Sequence, residues 1–142
     1  MFAKQLTVFI ENRAGRLSEV LSVLGKNNVN IVSLSLADTT EYGLLRILVD
    51  DPATGKEKLT KSGFSSLLSN VSIIKIRHEA GSLQKLLKLI DDNGINIEYM
   101  YGLSIESEKA YVVLKASTPE ALDELLTQNG VQTISEEMLS HI

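Results

Sequence analysis

The sequence predicts an α+β protein built from two copies of one β-α-β-β-α-β unit. The stretch ENRAGRL at residues 11–17 returns as RHEAGSL at residues 77–83, and each follows an apolar stretch that alternates like a strand. After each stretch the apolar residues fall at helical spacing, so both stretches mark a corner between a strand and a helix.

The repeat extends well beyond these corners. A shift of 66 aligns residues 11–31 with 77–97, and a one-residue insertion then aligns Pro52 with Pro119. So many matches in one register indicate a duplication, with domains expected at residues 1–70 and 71–142. The identical pairs are Ala14/Ala80, Gly15/Gly81, Leu17/Leu83, Leu21/Leu87, Asn27/Asn93, Asn30/Asn96 and Ile31/Ile97.

The first half of the unit follows from periodicity. Residues 5–11 alternate and predict a strand, and a stripe of apolar residues at positions 17, 20, 21 and 24 predicts a helix. The pairs Asn27-Asn28 and Asn93-Gly94 suit a left-handed helix end. Strands are expected at residues 29–37 and, after a polar turn at 38–41, at residues 44–50 or, in copy two, 110–116.

The second half begins with another helix. Residues 117–120 offer a cap, an early proline and an acidic first turn, while residues 52–62 are a weaker, more polar version. Gly63 and Gly130 are expected to end these helices before short strands at 64–68 and 131–135. Residues 65–70 read either as a serine-rich linker or, favoured by their leucines, as a strand leading directly into residues 72–77.

These connections are those of a split βαβ unit. Right-handed crossovers place both helices of each copy on one face of a four-stranded antiparallel sheet.

Composition narrows the function. The chain has 142 residues, a net charge of −4, no cysteine and two histidines. A basic face for nucleic acid, a thiolate or zinc site, and a disulfide framework are therefore not expected. No apolar run reaches the roughly 18 residues of a membrane helix, and the N-terminus leads straight into a strand. We expect a cytoplasmic protein without cofactor or metal.

The corner itself offers chemistry. The first N–H groups of a helix lack intrahelical partners and lie at the positive end of its dipole, so they attract a small anion such as a carboxylate. Gly15 allows an unusual backbone angle or close approach by a ligand. The plain alternative is that every helix needs a start and that glycine often helps form the turn.

Two asparagines strengthen the ligand hypothesis. Asn12 ends the first strand and Asn30 begins the second, and we expect them to converge at the corner. Amide groups can accept from an ammonium and donate to a carboxylate, so together they would recognise a zwitterion. The alternative is that both asparagines cap turns.

The pattern N-R-A-G-R-L-x-x-V-L-x-x-L followed by V-N-I resembles the ACT domain, a small regulatory module that binds amino acids. The second copy, E-A-G-S-L-Q-K-L-L-K-L-I-D-D-N-G-I-N-I, fits as well, so the resemblance covers essentially the whole chain. It is similar to stand-alone bacterial and archaeal proteins made of two such domains.

The resemblance implies a ferredoxin-like fold, duplicated, with the two domains paired into one eight-stranded antiparallel sheet that carries its helices on one face. It further implies a non-catalytic regulatory protein that senses an amino acid and modulates an enzyme of amino-acid metabolism. We expect a homodimer and, from the composition, neither nucleic-acid nor membrane partners. The implied ligand-binding residues are Asn12, Arg13, Ala14, Gly15, Arg16, Leu17, Asn30 and Ile31, and in copy two His78, Glu79, Ala80, Gly81, Ser82, Leu83, Asn96 and Ile97.

The copies depart from the family pattern and from each other. Alanine stands where the family usually has proline at both corners, and His78 stands where copy one has Asn12. Glu79 opposes a ligand carboxylate that Arg13 and Arg16 would attract, so we favour the first corner as the binding site. One ligand bridging both copies is an alternative.

Two other functions stay open. A regulatory or assembly subunit that has lost ligand binding is the first alternative. An acylphosphatase-like enzyme is less favoured, because the loop is short and no nucleophile–base pair is evident.

Overall fold

A computed structural model describes residues 1–38, 41–106 and 108–139. The predicted polar turn at 38–41 therefore lies partly outside the described residues. The chain divides into two compact units, which we call the N-terminal unit (Lys4–Ser69 with Leu139) and the C-terminal unit (Asn70–Met138 with Met1–Ala3).

The N-terminal unit contains three strands that pair antiparallel in the order β2-β3-β1. Two helices, α1 and α2, follow β1 and β3. The elements are β1 (Ala3–Glu11), α1 (Arg16–Lys26), β2 (Ile31–Asp38), β3 (Tyr42–Val49), α2 (Pro52–Lys61) and the start of β4 (Ser65–Arg77).

The C-terminal unit repeats this plan, with strands in the order β5-β6-β4-β7. A one-turn helix, α5, which the sequence did not predict, follows its last strand. The elements are the remainder of β4, α3 (Ser82–Asp92), β5 (Ile97–Glu106), β6 (Lys109–Ala116), α4 (Pro119–Gln128), β7 (Thr133–Ile134) and α5 (Glu136–Leu139).

Each unit has its own apolar core between helices and sheet. In the N-terminal unit the predicted strand face of Leu6, Val8 and Ile10 packs against Val20 and Leu24 of α1. In the C-terminal unit Ile74, Val112 and Leu114 face Leu86 and Ile90 of α3 in the same way. The alternation and the helical stripe read from the sequence are thereby confirmed, as is the antiparallel α+β architecture.

The strand count among the described residues is seven rather than the expected eight. The reason is β4, which runs from Ser65 to Arg77 without a break and provides both the last strand of copy one and the first strand of copy two. The strand reading of residues 65–70 is therefore right and the linker reading is wrong.

The helix ends use the left-handed backbone as predicted. Asn28 has φ 59° and Gly94 has φ 68°, and Gly63 and Gly130 also have positive φ after α2 and α4. A left-handed residue lets the chain turn away while it bonds the last helical carbonyls. The bond from the Val29 N–H to the Leu24 carbonyl, at 3.0 Å, does this in copy one.

The register of the strands shows where the one-residue insertion lies. Both copies have an irregularity at the start of the second strand, but β5 has a further one between Gly102 and Ser104. Leu36 pairs with Leu45 in copy one and Gly102 pairs with Val112 in copy two, so Leu36 and Gly102 are equivalent. By the same comparison the next residue of copy one, Ala37, is equivalent to Ser104. Leu103 is therefore the inserted residue, and it forms a β-bulge in copy two.

Candidate functional site

The two predicted corners have almost the same backbone. Gly15 precedes α1 with φ 89°, and Gly81 precedes α3 with φ 88°. The N–H of Arg16 donates to the carbonyl of Arg13 at 3.4 Å, and the N–H of Ser82 donates to that of Glu79 at 3.2 Å. Since residues with a side chain rarely adopt this φ, the backbone angle accounts for glycine at both corners.

Both corners leave a helix N-terminus open. Within the described part of the chain, no side chain caps α1 or α3, and apart from the glycine itself and its two chain neighbours no heavy atom lies within 4 Å of where a Cβ on Gly15 or Gly81 would be. Each corner therefore combines a helix N-terminus without a side-chain cap with open space at its glycine.

A pocket lies beside each corner. The pocket of the N-terminal unit has a volume of about 390 Å³ and is lined by Ile10, Glu11, Asn12, Arg13, Leu17, Leu36 and Gly43. The pocket of the C-terminal unit has about 490 Å³ and is lined by Ile76, Arg77, His78, Glu79, Ser82, Leu83, Gly102, Leu103, Ser104, Ala110, Tyr111 and Val112. We call them the N-terminal and the C-terminal pocket.

Each pocket is built from matching parts of its unit. The end of the first strand, the first turn of the helix and the two neighbouring strands contribute at equivalent positions. Of the predicted residues, Asn12, Arg13 and Leu17 line the N-terminal pocket, and His78, Glu79, Ser82 and Leu83 line the C-terminal one.

The expected convergence of Asn12 and Asn30 is wrong. Strand β1 ends opposite Tyr42 at the start of β3, whereas β2 starts opposite Val49 at the end of β3. The two asparagines therefore lie at opposite ends of the strands, about 25 Å apart at the usual rise per residue. A right-handed βαβ connection makes its two strands parallel, so the second begins where the first began.

Asn30 and Asn96 instead lie immediately before the second strand of each copy, and each bonds to a residue that follows the third strand. The backbone N–H of Asn30 donates to Oδ1 of Asp50 at 2.9 Å, and the N–H of Asp50 returns a bond to the Asn30 carbonyl. Nδ2 of Asn96 donates to Oγ of Ser117 at 2.9 Å. The adjoining Ile31 and Ile97 pack against the two cores.

Arg16 is also placed differently from expectation. Its Nη1 pairs with Oε2 of Glu19 at 2.7 Å, and its guanidinium lies 4.3 Å from the ring centroid of Phe64. The side chain thus packs over α1's own flank and does not line the N-terminal pocket.

The charges around the two pockets are interchanged. Nε of Arg13 pairs with Oε2 of Glu11 at 3.1 Å, and both side chains are more than half exposed. Arg77 and Glu79 occupy the equivalent positions with opposite signs. An exposed pair contributes little to stability, so these charges are available to a ligand at modest cost.

Sequence reasoning missed pocket residues on the second and third strands of both copies, among them Leu36 and Gly43 in one and Gly102 and Ala110 in the other. The signal was the one-residue insertion, which the repeat showed but could not place. The register of β5 places it beside the pocket, at Leu103.

The described residues contain neither a cluster of metal-ligating side chains nor a helix able to span a membrane. No group of three or more histidine, aspartate or glutamate side chains is arranged to hold a metal ion within residues 1–38, 41–106 and 108–139. Over the same ranges, no helix has the length and apolar character needed to cross a membrane.

Comparisons with known proteins agree with the fold. The family model described as an ACT domain pair matches residues 1–142, which confirms the resemblance seen in the sequence. No curated protein matches the chain. A solved structure of a Bacteroides thetaiotaomicron protein is 34% identical, with a TM-score of 0.94, covering 100% of this chain and 98% of that one.

A second similar structure is the ligand-free regulatory subunit of aspartate kinase from Thermus thermophilus. It is 16% identical with a TM-score of 0.63, and the match covers 88% of this chain and 90% of the other. At that identity the likeness shows a shared fold.

Proposed function

Because the chain belongs to the family of ACT domain pairs, we propose that it is a non-catalytic regulatory protein that binds an amino acid and modulates an enzyme of amino-acid metabolism. Residues 1–70 and 71–142 would be its two domains. The binding sites would be the two corner pockets.

The observation that carries this proposal is the corner built twice. Each pocket combines an uncapped helix N-terminus, which suits a carboxylate, with charged side chains at its mouth and an apolar interior. Pockets of about 300 to 1,000 Å³ with apolar walls and a few polar groups are typical of small-molecule sites. An amino-acid zwitterion fits this arrangement.

One of the similar solved structures supports an enzyme as the partner. The Thermus thermophilus protein is a regulatory subunit of aspartate kinase, so this fold serves enzyme regulation in that protein. We propose an equivalent role here, in the cytoplasm, with an amino-acid-metabolising enzyme as the regulated partner.

The proposal is tested by thermal denaturation of the full chain with each of the twenty amino acids, followed by calorimetry. A ligand that binds only the folded protein adds about 2.7 kcal/mol of stability at 100 times its dissociation constant. We expect a clear rise in the melting temperature with at least one amino acid. Twenty scans without a shift, confirmed by calorimetry, would refute the proposal.

A second candidate, an assembly subunit that does not bind amino acids, is favoured by one observation. Leu34 and Leu36 are 45% and 50% exposed on β2, which pairs on one side with β3. Exposed leucines on such a strand suit contact with a second copy or with a partner protein. Light scattering tests the homodimer: Leu34→Lys should shift a dimer toward monomer, and an unchanged mass would count against this contact.

A further inference from the structure

The two pockets differ in the side chains that the second and third strands contribute. The N-terminal pocket has Leu36 on its second strand and Gly43 on its third, and the C-terminal pocket has Gly102 and Ala110 at the equivalent positions. A Cβ added to Gly43 would lie 3.3 Å from Cδ1 of Leu36, so the leucine lies directly over that glycine. The leucine therefore occupies part of the first pocket.

The corresponding space in the C-terminal pocket is open. Among the described residues other than Gly102 and its two chain neighbours, no heavy atom lies within 4 Å of the position where a Cβ on Gly102 would stand. The register places Gly102 opposite Val112, on the face of the sheet that packs against the helices. The pocket with Gly102 and the bulge at Leu103 has a volume of about 490 Å³, against about 390 Å³ for the pocket with Leu36.

Apolar surface borders this space. Leu83, from the first turn of α3, is 38% exposed at the pocket, whereas its repeat-mate Leu17 packs against the core of its own unit. Ile76 and Val112 line the pocket from the sheet. An apolar group that entered the cavity would remove this surface from water, which is favourable in proportion to the area covered.

We infer that the C-terminal pocket binds an α-amino acid with a bulky apolar or aromatic side chain, and that Gly102 determines this preference. The inference rests on the proposed function and specifies its ligand class. The ligand's side chain lies over Gly102 in the space that Leu36 fills in the other copy. The N-terminal pocket, shortened by its leucine, excludes the same ligands.

The polar end of the ligand meets the corner. Its carboxylate accepts from N–H groups of the first turn of α3, and Glu79 at the pocket mouth attracts its ammonium group. Glu79 therefore favours a zwitterion over a simple carboxylic acid, although in isolation it opposes an anion. The charged groups of the ligand thus lie at the mouth of the pocket, and its side chain lies in the apolar interior.

Calorimetry on the full chain with leucine, methionine, phenylalanine, alanine, serine and aspartate tests the preference. We expect the three bulky ligands to bind at least ten-fold more tightly than the other three, because a missing methylene in an apolar pocket costs about ten-fold or more. Binding of only small or acidic amino acids would overturn the inference and leave the proposed function standing. No binding at all would overturn both.

Gly102→Leu restores the leucine of the first copy and tests the position directly. The open space and ordinary backbone at Gly102 allow the side chain, so we expect an unchanged melting temperature and at least a ten-fold loss of affinity for the bulky ligands. Gly25→Leu, at an exposed glycine of α1 that lines neither pocket, is the matched control and should leave the binding of the bulky ligands unchanged. Unaltered binding by Gly102→Leu, or an equal loss in Gly25→Leu, would contradict the assignment.

If Gly102→Leu lowers the melting temperature, a milder variant tests whether the apolar wall selects bulky ligands. Leu83→Ala removes apolar contact at the mouth without adding bulk, and it should weaken the bulky ligands while leaving alanine unaffected. A uniform loss across all ligands would instead indicate general damage and overturn the role given to this wall.

Discussion

The two units share one backbone plan, yet their side chains fill it differently. Gly15 and Gly81 differ by one degree in φ, while the pockets beside them differ by about a quarter in volume. The larger pocket has Gly102 where the smaller one has Leu36, and it lies beside the bulge at Leu103. A duplicated corner can therefore keep its anion-attracting helix end and change what fits beside it.

The helix that follows the third strand shows the same exchange in the core. Gly55 of α2 matches Leu122 of α4, and Leu122 is 1% exposed. A Cβ on Gly55 would lie 2.9 Å from Cδ1 of Leu6, which is itself fully buried. In one unit the helix approaches the sheet over a glycine, and in the other a leucine fills the space.

The largest expected change in stability comes from substitutions at these two matched positions. Leu122→Ala should lower the free energy of unfolding of the C-terminal unit by about 3 kcal/mol, because it leaves a cavity in a fully packed core. Gly55→Ala should cost about 1 kcal/mol, since crowding against Leu6 outweighs the gain in helix propensity. Urea denaturation followed by circular dichroism measures both.

Ala53→Gly is the control for the helix-propensity part of that comparison, because residue 53 lies in the same helix. A stabilising Gly55→Ala would show that Leu6 moves aside freely. The close approach of α2 would then have no energetic importance.

A third exchange lies on the other flank of the first helix. Arg16 and Phe64 in the N-terminal unit match Ser82 and Val131 in the C-terminal unit. The arginine over the phenylalanine ring covers that flank, whereas in the C-terminal unit the matching groove is open, with about 560 Å³ between α3 and the residues around Val131.

Arg16→Ala should lower the free energy of unfolding by about 1 kcal/mol, through loss of the cation–π contact and of the packing of its stem. Only 16% of this side chain is exposed, so we expect the contact to contribute more to stability than a fully exposed pair would. Ser82→Ala is the matched control and should change stability little. Arg16→Met keeps much of the packing, so a loss as large as that of Arg16→Ala would assign the whole effect to charge.

The sequence predicted the fold because its signals are local. Alternation in residues 5–11 and the stripe that includes Val20 and Leu24 each report one element, and the repeat checks every assignment twice. The merging of two predicted strands into β4 was less accessible. Whether a chain turns or continues near Asn70 depends on the partners that the strand finds, not on its own residues.

The candidate site was predicted in part. The sequence placed Arg13 and Glu79 at the two corners, and both line pockets, because a strand end followed by a helix start is a local event. The pairing of Asn12 with Asn30 failed on direction, since parallel strands start at the same end of a sheet and the two residues mark opposite ends. Gly102 could not be found because a glycine in a strand has no signal of its own until the register shows which leucine it replaces.

The smallest expected effect concerns the caps of the second helix in each copy. Asp51 caps α2 by accepting from the Thr54 N–H at 3.2 Å, whereas within the described residues Thr118 makes no side-chain cap on α4. Hydrogen bonds from the Thr54 side chain and backbone lower the pKa of Asp51 from its usual 3.8. A lowered pKa means that the carboxylate stabilises the folded state above pH 3.8 and loses this contribution as the pH falls through the folded-state pKa.

Asp51→Ala should therefore lower the melting temperature slightly at pH 7, and the difference from the parent protein should shrink at pH 3. Thr118→Ala should change the melting temperature less than Asp51→Ala at pH 7 and show no such pH dependence, because no carboxylate is removed. Circular dichroism melts of the three proteins at both pH values make the comparison. A pH-independent deficit in Asp51→Ala would assign its role to the bond geometry alone, and an equal deficit in Thr118→Ala would remove the difference between the two caps.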